Sequence, residues 1–233
     1  VLSFGRGKPV NLMGGGALLI RKDHAAESGS YLSALPENAV SGGAAWQFRR
    51  SLFNLLLSRP LYGLMERMPF LGIGLTVYHP LEGVYRQLPV EGLLEAGIEG
   101  LNHRTDNGAV YSETLAELAG KGWILLPQVC SGAEARGGLV SFPKQLLRYP
   151  LLAPSRQVRD RALVELNRKG IGASAFYGQA LPAIEGVPDV VPAESSKFPK
   201  ACTFAGRLIT LPAHEDVQAS DILLISRTLA QLI

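Results

Sequence analysis

The most apolar stretch of this chain, residues 44–73, is cut by Pro60 and Pro69, and that interruption limits what it can become. A proline inside a helix removes a backbone hydrogen bond and clashes with the preceding turn, so the stretch falls into short helical pieces. None reaches the ~20 consecutive apolar residues that crossing a bilayer requires. Trp46, Phe48, Leu52, Phe53, Leu55 and Leu56 are interspersed with Arg49 and Arg50, and Arg59, Glu66 and Arg67 follow. A packing surface for another domain or a second subunit is the simpler reading. A peripheral membrane contact through an interfacial amphipathic hairpin is the alternative, because arginines beside Trp and Phe suit a headgroup boundary.

With 233 residues, 47% of them hydrophobic, the chain can bury roughly 70% of its unfolded surface without disulfides or metals. Its 26 glycines and 15 prolines imply frequent turns. The 23 basic and 20 acidic residues are scattered, with no basic block, which argues against a nucleic-acid partner. Cys130 and Cys202 are far apart and lack the companions of a zinc pattern, so a reducing cytoplasm is the expected location. His24, His79 and His103 each have a single acid nearby, Asp23, Glu82 and Asp106, too few ligands for a metal site. The opening Val1-Leu2-Ser3-Phe4 shows neither an initiator Met nor a signal peptide and reads as mid-strand, so a preceding domain is expected.

Residues 1–21 read as strand, glycine-rich loop and strand, with the strands at 1–4 and 17–20. Residues 21–43 are polar and rich in Gly and Ser, the composition of a surface connection. Residues 91–119 carry the longest helical pattern, broken by the polar run 102–107. Beyond it, strands are predicted at 123–126, 138–142, 149–152 and 172–176, and helices at 155–169, 199–208 and 219–233. That alternation predicts an α/β arrangement with helices covering one sheet face. The expected organisation is a first domain at 1–90, with an apolar helical insertion at 44–73, and a smaller C-terminal domain at 91–233.

The motif that carries chemistry is Ser3-Phe4-Gly5-Arg6-Gly7-Lys8-Pro9, followed by Gly14-Gly15-Gly16-Ala17. A lysine that forms a Schiff base needs a fixed, partly desolvated position so that its amine can be neutral, and a buried strand end supplies one. A phosphate needs hydroxyl and backbone donors nearby, which Ser3 and the glycines can provide. Read alone, a lysine in such a loop is usually a solvated side chain.

This segment resembles the lysine motif of the DegT/StrS family of pyridoxal-phosphate-dependent sugar aminotransferases, where Ser-Phe-x-x-x-Lys precedes Gly-Glu-Gly-Gly and an apolar strand. Gly14 replaces the family's glutamate, and Gly5 its usual histidine after Phe. The resemblance returns at Tyr149-Pro150-Leu151-Leu152, Arg168-Lys169-Gly170-Ile171-Gly172-Ala173-Ser174, Phe176-Tyr177, Phe198-Pro199-Lys200-Ala201 and Leu211-Pro212-Ala213-His214, in the family's order. It implies that Lys8 carries pyridoxal phosphate and that Ser3 and Gly15 serve its phosphate. Arg86, in Tyr85-Arg86-Gln87-Leu88-Pro89, would replace the asparagine that reaches the phosphate of the neighbouring subunit. It further implies a nucleotide-linked keto sugar as acceptor, an amino donor such as glutamate, and a homodimer. The implied fold is a remnant of the large domain of a fold type I pyridoxal-phosphate transferase plus a smaller C-terminal α/β domain. The ring-facing carboxylate and the stacking aromatic lie upstream of the lysine in the family, so this chain alone is expected to be inactive. A non-catalytic family member, kept for assembly or membrane-proximal interaction, is the second hypothesis. His214 is expected in a structural turn, and Tyr177 either faces substrate or joins the core.

Overall fold

The computed structural model describes residues 1–5, 8–38, 43–56, 61, 78–87, 90–102, 107–126, 146–188 and 197–233. Contacts divide the chain into two units, Val1–Leu61 with Pro80–Arg104, and Tyr62–His79 with Thr105–Ile233.

In the first unit, β1 (Leu2–Ser3) pairs antiparallel with β2 (Gly16–Ala17), Leu2 opposite Ala17 and Ser3 opposite Gly16. Gly16 is required here, since a Cβ at that position would collide with the Leu2 carbonyl oxygen. The second strand is shorter than its sequence predicts, and Leu18 and Leu19 are exposed. The stretch read as an irregular surface connection contains helix α1 (Ala25–Ser33). Its position on the surface agrees with the composition, but its conformation does not. The Ser30 and Ser33 hydroxyls donate to the carbonyls of Glu27 and Ser30 at 2.9 Å, so these serines turn their polar groups back onto the helix instead of breaking it. Helix α2 (Ala44–Leu56) occupies the start of the apolar stretch, and none of its residues is buried. Helix α3 (Leu93–Asn102) completes the unit. Val10 is the one buried apolar side chain among this unit's described residues.

The second unit holds the core. Helix α4 (Asn107–Thr114) and a 3-10 turn, Ala116–Lys121, lead through Gly122, whose φ of 85° makes the reversal into β3 (Ile124–Leu125). β4 (Arg148–Leu152) and β5 (Leu208–Pro212) complete an antiparallel sheet of order β3-β4-β5, with Leu151 opposite both Leu125 and Ile209. Tyr149, Leu151, Ile209 and Leu211 point to one face and are fully buried. Helices α5 (Arg156–Arg168), α6 (Pro199–Arg207) and α7 (Ala219–Ala230) complete the unit, and α5 and α7 contribute Ala162, Leu166, Ile222, Ile225 and Leu229 to the core. Each large apolar side chain buried here is worth about 1.5–3 kcal/mol, which is why this unit is organised around them.

The helix ends follow local chemistry. Ser155 Oγ accepts from Val158 N at 3.2 Å to cap α5, and Gly170, at φ 77°, closes it while Ile171 N bonds back to Leu166 O. Pro199 starts α6, and Gln218 with Asp221 forms a capping box on α7. The predicted strand at 172–176 is reduced to one bridge, Ser174 to Thr210, and β5 was not predicted. The predicted strand at 138–142 lies outside the described residues, as do residues 103–106 of the helix break predicted at 102–107.

Candidate functional site

The loop carrying Lys8 is held as a hairpin by its own backbone. Phe4 N donates to Gly15 O at 3.0 Å, Leu12 N to Phe4 O at 2.9 Å, and Lys8 N to Gly5 O at 3.2 Å. Asn11 Oδ1 accepts from Met13 N at 2.9 Å, which supports a left-handed Met13 at φ 68° and leads into Gly14 and Gly15. The hairpin is anchored on α3 through Val10. At Gly97, a Cβ would come 2.7 Å from Val10 Cγ1, so only glycine lets the helix approach this closely.

Ser3 and Gly15 therefore sit at the neck of the hairpin and Lys8 on its loop, all exposed. The sequence reading placed Lys8 at a buried strand end, whereas β1 stops at Ser3 and Lys8 lies on the loop beyond it with its side chain in water. The donor types fit a phosphorylated aldehyde, with one primary amine, one hydroxyl and glycines at positive φ beside it. The missing ingredient is a surface that excludes water from the amine.

Arg86 is engaged in its own chain. Its backbone pairs with residues 36–38, Arg86 N to Pro36 O at 2.9 Å and Asn38 N to Arg86 O at 2.8 Å, and its guanidinium lies 3.2 Å from Glu37 Oε1. Both side chains are about half exposed, so the pair is worth little in stability, yet an incoming anion has to displace a carboxylate. The next residue, Gln87, lies close to Gly15, its Oε1 3.9 Å from where a Cβ would be.

In the second unit, the loop after α5 presents Phe176 and Tyr177. Phe176 has φ 59°, uncommon for a bulky residue, and its ring meets Tyr177 edge-on at 4.6 Å. Both rings are exposed, so Tyr177 does not belong to the core. The loop is clamped on all sides. Asn167 takes the Ala173 N–H at 2.7 Å and donates to its carbonyl at 3.0 Å, and Ser174 Oγ accepts from Phe176 N at 2.9 Å. Arg148 reaches Gly172 O and Thr210 O, each at 2.8 Å. No sequence motif marked Asn167 or Arg148, because their roles arise from carbonyls that the fold brings to them. His214 lies in a turn, its carbonyl accepting from Val217 N and Asn107 Nδ2, as expected.

In the core, Tyr111 and Tyr149 stack at 5.0 Å. The Tyr111 hydroxyl donates to Pro212 O at 2.8 Å, and the Tyr149 hydroxyl meets Ser112 Oγ at 3.0 Å. Burial pushes both phenols above their ordinary range. The Asp221 carboxylate adds to the effect on Tyr111 and Arg148 opposes it, while the Ser112 hydrogen bond opposes it on Tyr149. These are structural groups, held neutral.

Among known proteins, the model of the DegT/DnrJ/EryC1/StrS aminotransferase family matches residues 94–229. The Lys8 hairpin and Arg86 lie outside that range. No curated protein matches the chain. Among solved structures, it is similar to Helicobacter pylori PseC, an aminotransferase involved in the biosynthesis of pseudoaminic acid, at 14% identity and a TM-score of 0.39. That similarity covers 72% of this chain and 46% of PseC, so the chain spans less than half the length of that relative.

Proposed function

Since the chain belongs to the DegT/DnrJ/EryC1/StrS aminotransferase family, we propose that it is the C-terminal half of a cytoplasmic, homodimeric sugar aminotransferase. The acceptor is a nucleotide-linked keto sugar, the donor an amino acid such as glutamate, and the cofactor pyridoxal phosphate. In this reading, residues 1–90 are what remains of a fold type I large domain, and residues 91–233 form the small domain. The apolar stretch at 44–73 adds a peripheral membrane contact.

Bound pyridoxal phosphate supplies the electron sink and stores the amino group between donor and acceptor. Lys8 Nζ would hold the cofactor, and the same amine would move the proton at the substrate carbon that bears the nitrogen. Ser3 Oγ would donate to the phosphate, with Gly15 turning the chain nearby. Arg86 would join them on giving up Glu37, since a guanidinium fits a phosphate in a bidentate pair. A neutral Lys8 amine requires burial, which we assign to chain preceding Val1 and to the second subunit.

The observation that carries this reading is the hairpin itself, which pins Ser3, Lys8 and Gly15 in one backbone-bonded loop on α3. The test is absorbance of the full-length protein with added pyridoxal phosphate. A near-visible band is expected, lost in Lys8→Ala. Ser3→Ala weakens cofactor affinity about tenfold or more, since a hydrogen bond to a charged group is worth ~1.5–3 kcal/mol. The exposure of Lys8 favours a second reading, a non-catalytic family member kept for assembly. Absence of any band in the full-length protein selects it.

A further inference from the structure

Helix α6 and strand β4 form a groove of about 370 Å³ within the second unit, lined by Leu152, Pro199, Lys200, Thr203, Phe204 and Arg207. Side chains alternate along a strand, so Leu152 points away from the face that carries Tyr149 and Leu151, and at 9% exposure it makes an apolar floor. At about 100° per residue, Lys200 and Arg207 stand within about 20° of each other on α6, some two turns apart, with Thr203 and Phe204 flanking that line. Arg207 is fixed at its base. Its carbonyl accepts from Ala153 N at 2.9 Å and its Nε donates to Ala153 O, and Ala153 is fully buried. The guanidinium is therefore half-buried and oriented, with its Nη groups left for another partner.

Among the described residues, no carboxylate pairs with Arg207 or Lys200, and α6 contains no Asp or Glu. A partly buried cation without a counter-ion is unfavourable, so the groove favours an anion at this end. Leu152, Pro199 and the Phe204 ring favour an apolar body beside it. We propose that this groove binds a small acid with an apolar ring, its carboxylate or phosphate on Arg207 and Lys200 and its ring over Leu152 and against Phe204. A guanidinium takes either acidic group in a bidentate pair. Small-molecule sites span ~300–1,000 Å³, and 370 Å³ suits one ring with its acidic group. The site shares no residue with the Lys8 hairpin, and it does not depend on the amino-transfer reading.

The experiment is titration calorimetry of the full-length protein with phenyl phosphate and with benzoate. Inorganic phosphate, which lacks the ring, and benzyl alcohol, which lacks the charge, are the comparison probes. Saturable binding of at least one acid is expected, and which of the two binds identifies the acidic group. Each comparison probe should bind about tenfold more weakly or worse, having lost either the apolar burial or the charged hydrogen bonds. Arg207→Gln should weaken the acid about tenfold or more. Should that variant fail to fold, Thr203→Trp, at an exposed position, fills the groove and should abolish binding. Binding should persist in Lys8→Ala, and its loss there would put the probe on the proposed cofactor site and overturn the inference. So would no saturable binding of either acid, inorganic phosphate binding as tightly as phenyl phosphate, or binding unchanged by Arg207→Gln or Thr203→Trp. The pyridoxal-phosphate band is measured separately, so its absence bears on the proposed function alone.

Discussion

Replacing Asn167 by alanine isolates the clamp that fixes the aromatic loop of the second unit. Asn167 Oδ1 accepts from Ala173 N at 2.7 Å and its Nδ2 donates to Ala173 O at 3.0 Å, while Ala173 is only 5% exposed. Truncation leaves two buried backbone groups without their partner, at a cost of about 1–3 kcal/mol each when water cannot replace it. The Ala173 pair has limited access to water, so ~2–6 kcal/mol is the gross loss, and the better helix propensity of alanine returns ~0.5 kcal/mol. The net loss, about 1.5–5.5 kcal/mol, corresponds to a fall of roughly 5–17 °C in Tm for a unit of this size. Thermal unfolding followed by circular dichroism measures it. Asn167→Asp provides the control, since a carboxylate keeps the acceptor for Ala173 N–H but sets a second acceptor against Ala173 O, so it should not restore the wild-type Tm. If Asn167→Ala melts within about 2 °C of wild type, the clamp is not what holds the loop, and the left-handed Phe176 needs another explanation.

Two further outcomes follow from the same physics. Gly97→Val places side-chain atoms where Val10 Cγ1 already lies, 2.7 Å from the Cβ position, so an overpacking cost of ~1–3 kcal/mol is expected. Hydrogen exchange should show it as faster exchange of the hairpin amides Phe4 and Leu12, whereas unchanged protection would mean that α3 does not anchor the hairpin. The buried phenols set the alkaline limit. Their folded pKa values are raised above 10.0, so the neutral form is favoured in the fold and its stabilising effect is complete below pH 10. Above pH 10 the unfolded chain releases phenolic protons that the folded one keeps, and stability falls by up to ~1.4 kcal/mol per pH unit for each tyrosine. Tyr111→Phe removes its share of that slope, and an identical slope in urea titrations between pH 9.5 and 11, a window chosen about the ordinary tyrosine pKa, would refute the assignment.

Helix boundaries in the second unit were legible because their determinants are short-range. Ser155 caps a helix through a residue three positions on, Pro199 fits a first turn by its fixed φ, and Gln218 and Asp221 satisfy each other across one turn. The sequence does not mark strand β5 because it follows α6 without a break and its five residues end in Pro212, which weakens the strand pattern. Its extended form is imposed by Arg148–Leu152 on one side and by Ser174 on the other.

The lysine hairpin divides in the same way. From its residues alone the chain determines a strand, a glycine-rich turn and a lysine beside a hydroxyl, because steric freedom at glycine and hydrogen-bonding capacity are properties of single residues. Only the tertiary structure decided that Val10 seats this hairpin on Gly97, that Arg86 pairs with Glu37, and that Lys8 stays in water. Burial and ion pairing depend on which distant segments meet, and one-dimensional order does not encode those distances.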